Sequence, residues 1–106
     1  MALDIDWIKK KVKTEEYEFS SHADYERQID KISVLEIEKA ILEGEILEDY
    51  PNDRRGASCL ILGHGEEGYP VHIVCGKTPA GSLRVITIYI PSFPKWIDPK
   101  TRGKVS

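Results

Sequence analysis

The spacing of apolar residues changes once along this chain, near residue 44. Before that point apolar positions recur every three or four residues, which predicts helices; after it they recur every second residue, which predicts strands. Leu3, Ile5, Ile8 and Val12, with Trp7 beside them, predict a short amphipathic helix over 4–12. "EEYEFS" (15–20) reads as an extended link. In "SSHADYERQID", Ser20 or Ser21 can cap a second helix by accepting a free backbone N–H, which puts His22 in its first turn. The third helix, 33–43, has the clearest start. Ser33 and Glu36 have the spacing of a capping box, and Ile32 and Ile37 that of a hydrophobic staple. Val34, Ile37 and Ile41 form its buried stripe, flanked by Leu35 and Ala40, and Gly44 is placed to end it in a left-handed turn.

Strands follow at about 45–50, 58–64, 70–76 and 83–90, separated by "PNDRRG", "GHGEEGYP" and "GKTPAGS". Short connections of this kind join antiparallel neighbours. The predicted fold class is α+β: N-terminal helices, then a three- to four-stranded antiparallel meander. One domain spans 1–106, with its core over about 15–96 and an irregular tail over 97–106.

Side chains alternate across a strand. Cys59, Ile61, Val71, Ile73, Cys75, Ile86, Ile88 and Ile90 make one apolar face, expected to pack on the helices. Leu60, Leu62, His64, His72, Val74, Thr87 and Tyr89, with Leu83 and Val85 further along, make a mixed face. A symmetric last hairpin sets His72 opposite Thr87, with Tyr89 one step along.

Composition narrows the function. The formal net charge is −3, which disfavours a strongly cationic nucleic-acid binder. Local basic stretches are "KKKVK" (9–13), "DRRG" (53–56) and "KWIDPKTRGK" (95–104). No apolar run reaches the length of a membrane span, and "MALDIDWIKKKVK" does not have the order of a signal peptide, so a cytoplasmic location is expected. Cys59 and Cys75 form neither a disulfide framework nor a zinc signature; reduced core thiols are expected.

The candidate chemistry lies in histidines and arginines. His72 stands in an otherwise apolar strand, beside a hydroxyl and a phenol. It is either a satisfied half-buried ring or part of a working surface. His22 sits where a helix N-terminus favours a neutral ring able to accept a proton, and Glu26, four residues on, can orient it. Arg54 and Arg55 in a turn can clamp an anion. The expectation is that His22, His72, Thr87 and Tyr89 line one concavity, with Arg54 or Arg27 at its rim. No metal site and no organic cofactor is expected.

His22-Ala23, Ile32-Ser33, "GEILEDYP" (44–51), Leu60-Ile61-Leu62-Gly63, "VHIV" (71–74), "VITIYIP" (85–91) and Trp96 together resemble the uncharacterised bacterial domain-of-unknown-function family 4258. The resemblance runs from about Phe19 to Trp96. Some members look like toxins of two-gene toxin–antitoxin modules, and the helices-then-meander order is similar to RelE-like and barnase-like ribonucleases. The resemblance implies an antitoxin protein and RNA as partners. This chain departs from the family pattern where arginines are expected, at Glu26 and Asp30; Arg27 stands nearby.

Three functions are open at this level. The chain reads as a small metal-independent endoribonuclease. His22 or His72 would then be base and acid, Tyr89 and Thr87 would assist, and Arg27, Arg54 or Arg55 would bind phosphate. It reads equally as a non-catalytic binding or accessory domain, favoured by its acidic balance. A third reading is a structural protein using Trp7 and Trp96 at a contact between copies. The oligomeric state is not legible.

Overall fold

The computed structural model describes residues 3–103. The elements run α1 (Ile5–Lys13), β1 (Tyr17–Phe19), α2 (Ser21–Ile29), α3 (Val34–Leu42), β2 (Glu45–Tyr50), β3 (Ser58–His64), β4 (Pro70–Lys77), β5 (Leu83–Tyr89), β6 (Trp96–Asp98) and β7 (Thr101–Arg102). The main sheet has the order β1-β5-β4-β3-β2, and β6 and β7 form a separate hairpin. Among the described residues no helix is long and apolar enough to cross a membrane.

The fold is α+β, as the pattern predicts. The sheet, however, is mixed and five-stranded, not the smaller antiparallel meander. The extra strand is "YEF", parallel to β5 through Tyr17↔Leu83 and Phe19↔Val85. Three residues are too few to show a period, so the sequence pattern left them as a link. Backbone bonds from Leu83 to Glu16 and from Ser20 to Val85 lock the strand in place at 3.1 and 2.8 Å.

Each helix starts on a side-chain cap. Asp4 accepts from Asp6 N–H, Ser20 from Ala23 N–H, and Ser33 with Glu36 completes the predicted capping box. Such a cap is worth about 1 kcal/mol. Ile8, Val12, Ala23, Ile32, Ile37, Ala40 and Ile41 from the helical layer meet Cys59, Ile61, Val71, Ile73, Cys75 and Ile88 from the sheet. The cysteines are free, register partners across β3 and β4, and burial pushes the Cys59 thiol up to about 12.

Two local expectations are corrected. Gly44 does not take a left-handed turn; Glu43 ends α3 with φ −101°. A Cβ on Gly44 would stand 2.5 Å from the Ala40 carbonyl oxygen, and one on Gly63 2.2 Å from it. These glycines let α3 lie close on β3. On β5 the register shifts, so that Cys75 pairs with Val85 and Val74 with Thr87. The bulge leaves Ile86 outside the pairing, and strict alternation fails across it. Leu83 and Val85 therefore join the core, Ile86 does not, and Ile90 is exposed.

The second face of the sheet is the larger surprise. Leu60, Leu62 and His72 are buried there: the chain after Pro91 folds back, Trp96 and Pro99 reach His72, and Arg102 and Lys100 reach Glu48 and Glu45, the β2 partners of Leu60 and Leu62. Trp96 is 3% exposed, so the expected irregular tail is a closing hairpin. Two leucines on one face are too apolar to leave in water. Residues 104–106 of that expected tail lie outside the described residues.

Candidate functional site

The hairpin covers one end of the outer face and leaves the other open. The geometry at the open end begins with Ser20. Its hydroxyl caps α2 at 3.0 Å from Ala23 N–H and donates to the Ile86 carbonyl at 2.8 Å. The start of α2 is thereby fastened to the bulge of β5. That fastening holds His22, 67% exposed in its side chain, at the mouth of a cleft.

Glu26 fixes the ring. One carboxylate oxygen lies 3.3 Å from His22 Nε2, and the other accepts the Ile88 N–H at 3.0 Å. β1 ends at Phe19, so this N–H lies on a stretch of β5 edge that β1 does not pair. The carboxylate that satisfies the edge also orients the histidine, and the i,i+4 spacing makes the contact. With Nε2 facing the carboxylate, Nδ1 is the ring atom left for chemistry.

The cleft has a volume of about 620 Å³. Ser20, His22, Arg55, Lys77, Thr78, Arg84 and Thr87 supply its polar lining, with Glu18 the one carboxylate. Three cations against one acid make it a basic spot on an acidic chain. Each cation has a neighbour: Arg55 Asp53 at 3.6 Å, Arg84 Glu18 at 4.0 Å, and Lys77 the Trp7 ring at 5.6 Å.

A second cleft of about 560 Å³ adjoins it, lined by Glu26, Thr87, Tyr89, Phe93, Lys95 and Arg102 among others. Thr87 lines both. The single concavity expected from the sequence is thus two clefts side by side. In the observed register His72 pairs with Tyr89, not Thr87, and Thr87 pairs with Val74; the bulge accounts for one of the two steps.

His72 lines neither cleft. It is fully buried, with Nε2 2.7 Å from the Pro99 carbonyl and Nδ1 3.1 Å from the Tyr89 hydroxyl. A carbonyl can only accept, so Nε2 carries the proton and Nδ1 accepts from the phenol. Trp96 packs edge-on against the ring at 4.4 Å. Arg102 lies over Trp96 and grips Glu48 at 3.0 and 2.7 Å. Glu48 also takes the Tyr50 hydroxyl. Burial lowers the His72 pKa, and burial raises that of Tyr89.

The remaining candidates scatter. Arg27 is held by Asp24 at 2.8 Å and stacks on Phe19, away from both linings. Arg54 is exposed in the β2–β3 turn beside Arg55. His64 is exposed at the end of β3. Among the described residues no group of three or more His, Cys, Asp or Glu is placed to hold a metal ion. Lys77 and Arg84 were missed as site residues. Arg84 had a signal, as the one charged residue in the apolar 83–90 run.

The family model described as Domain of unknown function (DUF4258) matches residues 19–90. That span holds α2, α3 and β2 to β5, and stops short of the closing hairpin. Comparison with curated proteins and with solved structures found no match.

Proposed function

The chain belongs to this family of unknown function, and we propose that it is a metal-independent endoribonuclease acting through the cleft at His22. The observation that carries the reading is a histidine oriented by a carboxylate, itself pinned by a backbone N–H, facing a pocket with three cations. Such a pocket suits a phosphodiester.

In the proposed reaction His22 Nδ1 takes the proton of a ribose 2′-hydroxyl. The 2′-oxygen attacks phosphorus and the bond to the 5′-oxygen breaks. Arg55 and Arg84 offset the charge on the phosphorane, and the Thr87 hydroxyl donates to a phosphate oxygen. Lys77 protonates the leaving 5′-oxygen; the arginines of the lining hold their protons too tightly to do so. The products are a 2′,3′-cyclic phosphate and a 5′-hydroxyl. His72 acts at a distance in this reading. It anchors the Tyr89 phenol and so the wall on which Thr87 stands. A RelE-like relationship, an antitoxin partner and a cytoplasmic location belong to the same proposal.

One observation favours a second reading, a non-catalytic binding domain: Arg27, Arg55 and Arg84 each have a carboxylate close by. The two part in one experiment. Purified protein is incubated with single-stranded RNA in chelator, and product ends are identified. Cleavage with cyclic phosphate ends, lost in His22→Ala at unchanged melting temperature, supports the enzyme. Intact RNA in the presence of folded protein moves the balance to the binding domain.

A further inference from the structure

We infer that the second cleft is a nucleobase subsite, in which a base of single-stranded RNA stacks on Phe93 beside the phosphate held at His22. The inference rests on the ribonucleic-acid reading above and adds what that reading does not supply, a place for the base. Phe93 is 79% exposed, an unusual state for a large apolar ring, and it lines this cleft with Tyr89 and Ile90. Lys95 stands in the same lining. Trp96 is unsuitable as a platform, because it is buried, with His72 against its ring and Arg102 over it.

The two clefts are continuous along one strand. β5 presents Arg84, Ile86 and Thr87 to the first and Thr87, Tyr89 and then Ile90 to the second. From Arg84 to Tyr89 is five residue steps, about 17 Å of strand. An extended strand of RNA laid along this line meets cations at one end and an open aromatic ring at the other. Stacking of this kind accepts any base. Glu26 stands between the clefts, in the lining of the second and against the ring of His22 in the first.

The test is equilibrium binding of a short RNA carrying a 2′-deoxy substitution at the scissile nucleotide, which cannot be cleaved. Phe93→Ala should weaken binding about 5- to 100-fold, and Phe93→Trp should restore it. The Phe93→Ala loss should vanish when the neighbouring nucleotide is abasic. Lys95→Gln should lower the salt slope of binding by about 0.7, one phosphate of a single strand. Phe93 is exposed, so its variants test binding without a folding defect. Equal affinity of Phe93→Ala and the parent chain overturns the subsite, as does equal loss on the abasic oligomer. If the parent chain cleaves the all-ribose oligomer and His22→Ala does not, the ribonuclease reading then stands alone. Phe93-dependent binding of the probe, with the all-ribose oligomer left uncleaved by the parent chain, keeps the subsite and removes the enzyme. No binding of the oligomer by the parent chain removes both.

Discussion

A histidine stands at each end of the outer sheet face, one in β4 and one at the start of α2, and the two are held in opposite ways. At the covered end His72 is fully buried and both ring nitrogens have protein partners. At the open end His22 is two-thirds exposed, with one nitrogen held by Glu26 and the ring facing a basic cleft. The residue type is the same, so the difference lies in the covering. A ring with both nitrogens engaged inside a closed face orders structure. A ring oriented through one nitrogen, with the other toward a cleft, is arranged for proton transfer.

The sharpest way to break the contrast is to uncover the closed end. Trp96→Ala removes the buried ring packed against His72. Loss of a buried tryptophan costs about 3–5 kcal/mol, and for a domain of this size the melting temperature should fall by more than about 10 °C. An unchanged thermal transition would mean that the hairpin does not seal the face, and the two ends would not differ.

The open end should respond the other way. His22→Ala should lower RNA cleavage by about 10²-fold or more, while its melting temperature moves by less than about 2 °C, as for an exposed surface site. Glu26→Gln tests orientation. The amide oxygen still accepts the Ile88 N–H, but the charge beside His22 is gone. A drop of about 10-fold in kcat with KM retained fits a positioning residue. Full activity in a folded Glu26→Gln chain would instead make this carboxylate a sheet-edge cap and nothing more.

How far each end could be read in the sequence follows from the range of its causes. The start of α2 is local: Ser20, His22 and Glu26 lie within one helical stretch, and spacing alone places ring and carboxylate together. The capping box at Ser33 is legible for the same reason. The closed end depends on contacts far apart in the chain. Nothing near Trp96 says that it lands on His72, 24 positions earlier, or that Arg102 reaches Glu48. The bulge at Ile86 was hidden as well. In "RVITIYI" the adjacent Val85 and Ile86 break the alternation, but only pairing to β4 and to Ser20 shows which of them is left over. That one residue moved Thr87 from Ile73 to Val74 and Tyr89 from Val71 to His72.

The smallest expected effect probes the covered histidine by pH. Five groups stand around its ring: the Tyr89 phenol, the Pro99 carbonyl, the Trp96 ring, the Glu48 carboxylate and the Arg102 guanidinium. Burial lowers the His72 pKa, the Pro99 carbonyl and Glu48 oppose this, Arg102 adds to it, and the net direction is down. In the unfolded chain the ring titrates near its ordinary value of about 6.5. Between that value and the lower folded one, the unfolded state binds more protons. Stability is therefore complete above about pH 6.5 and falls as the pH drops towards the folded value, by at most about 1.4 kcal/mol per pH unit for one proton. Protonation would also set an N–H on Nδ1 against the Tyr89 oxygen, so the phenol would have to turn its own proton away. His72→Gln can keep a donor for Pro99 and has nothing to titrate. Urea unfolding of both chains from pH 7.5 to 5 isolates the ring, because His22, His64 and every carboxylate are shared. The parent chain should lose stability below about pH 6.5 relative to the variant. A flat difference across that window would mean that the covered histidine is not held neutral by its burial, and the line drawn between the two ends would have to be moved.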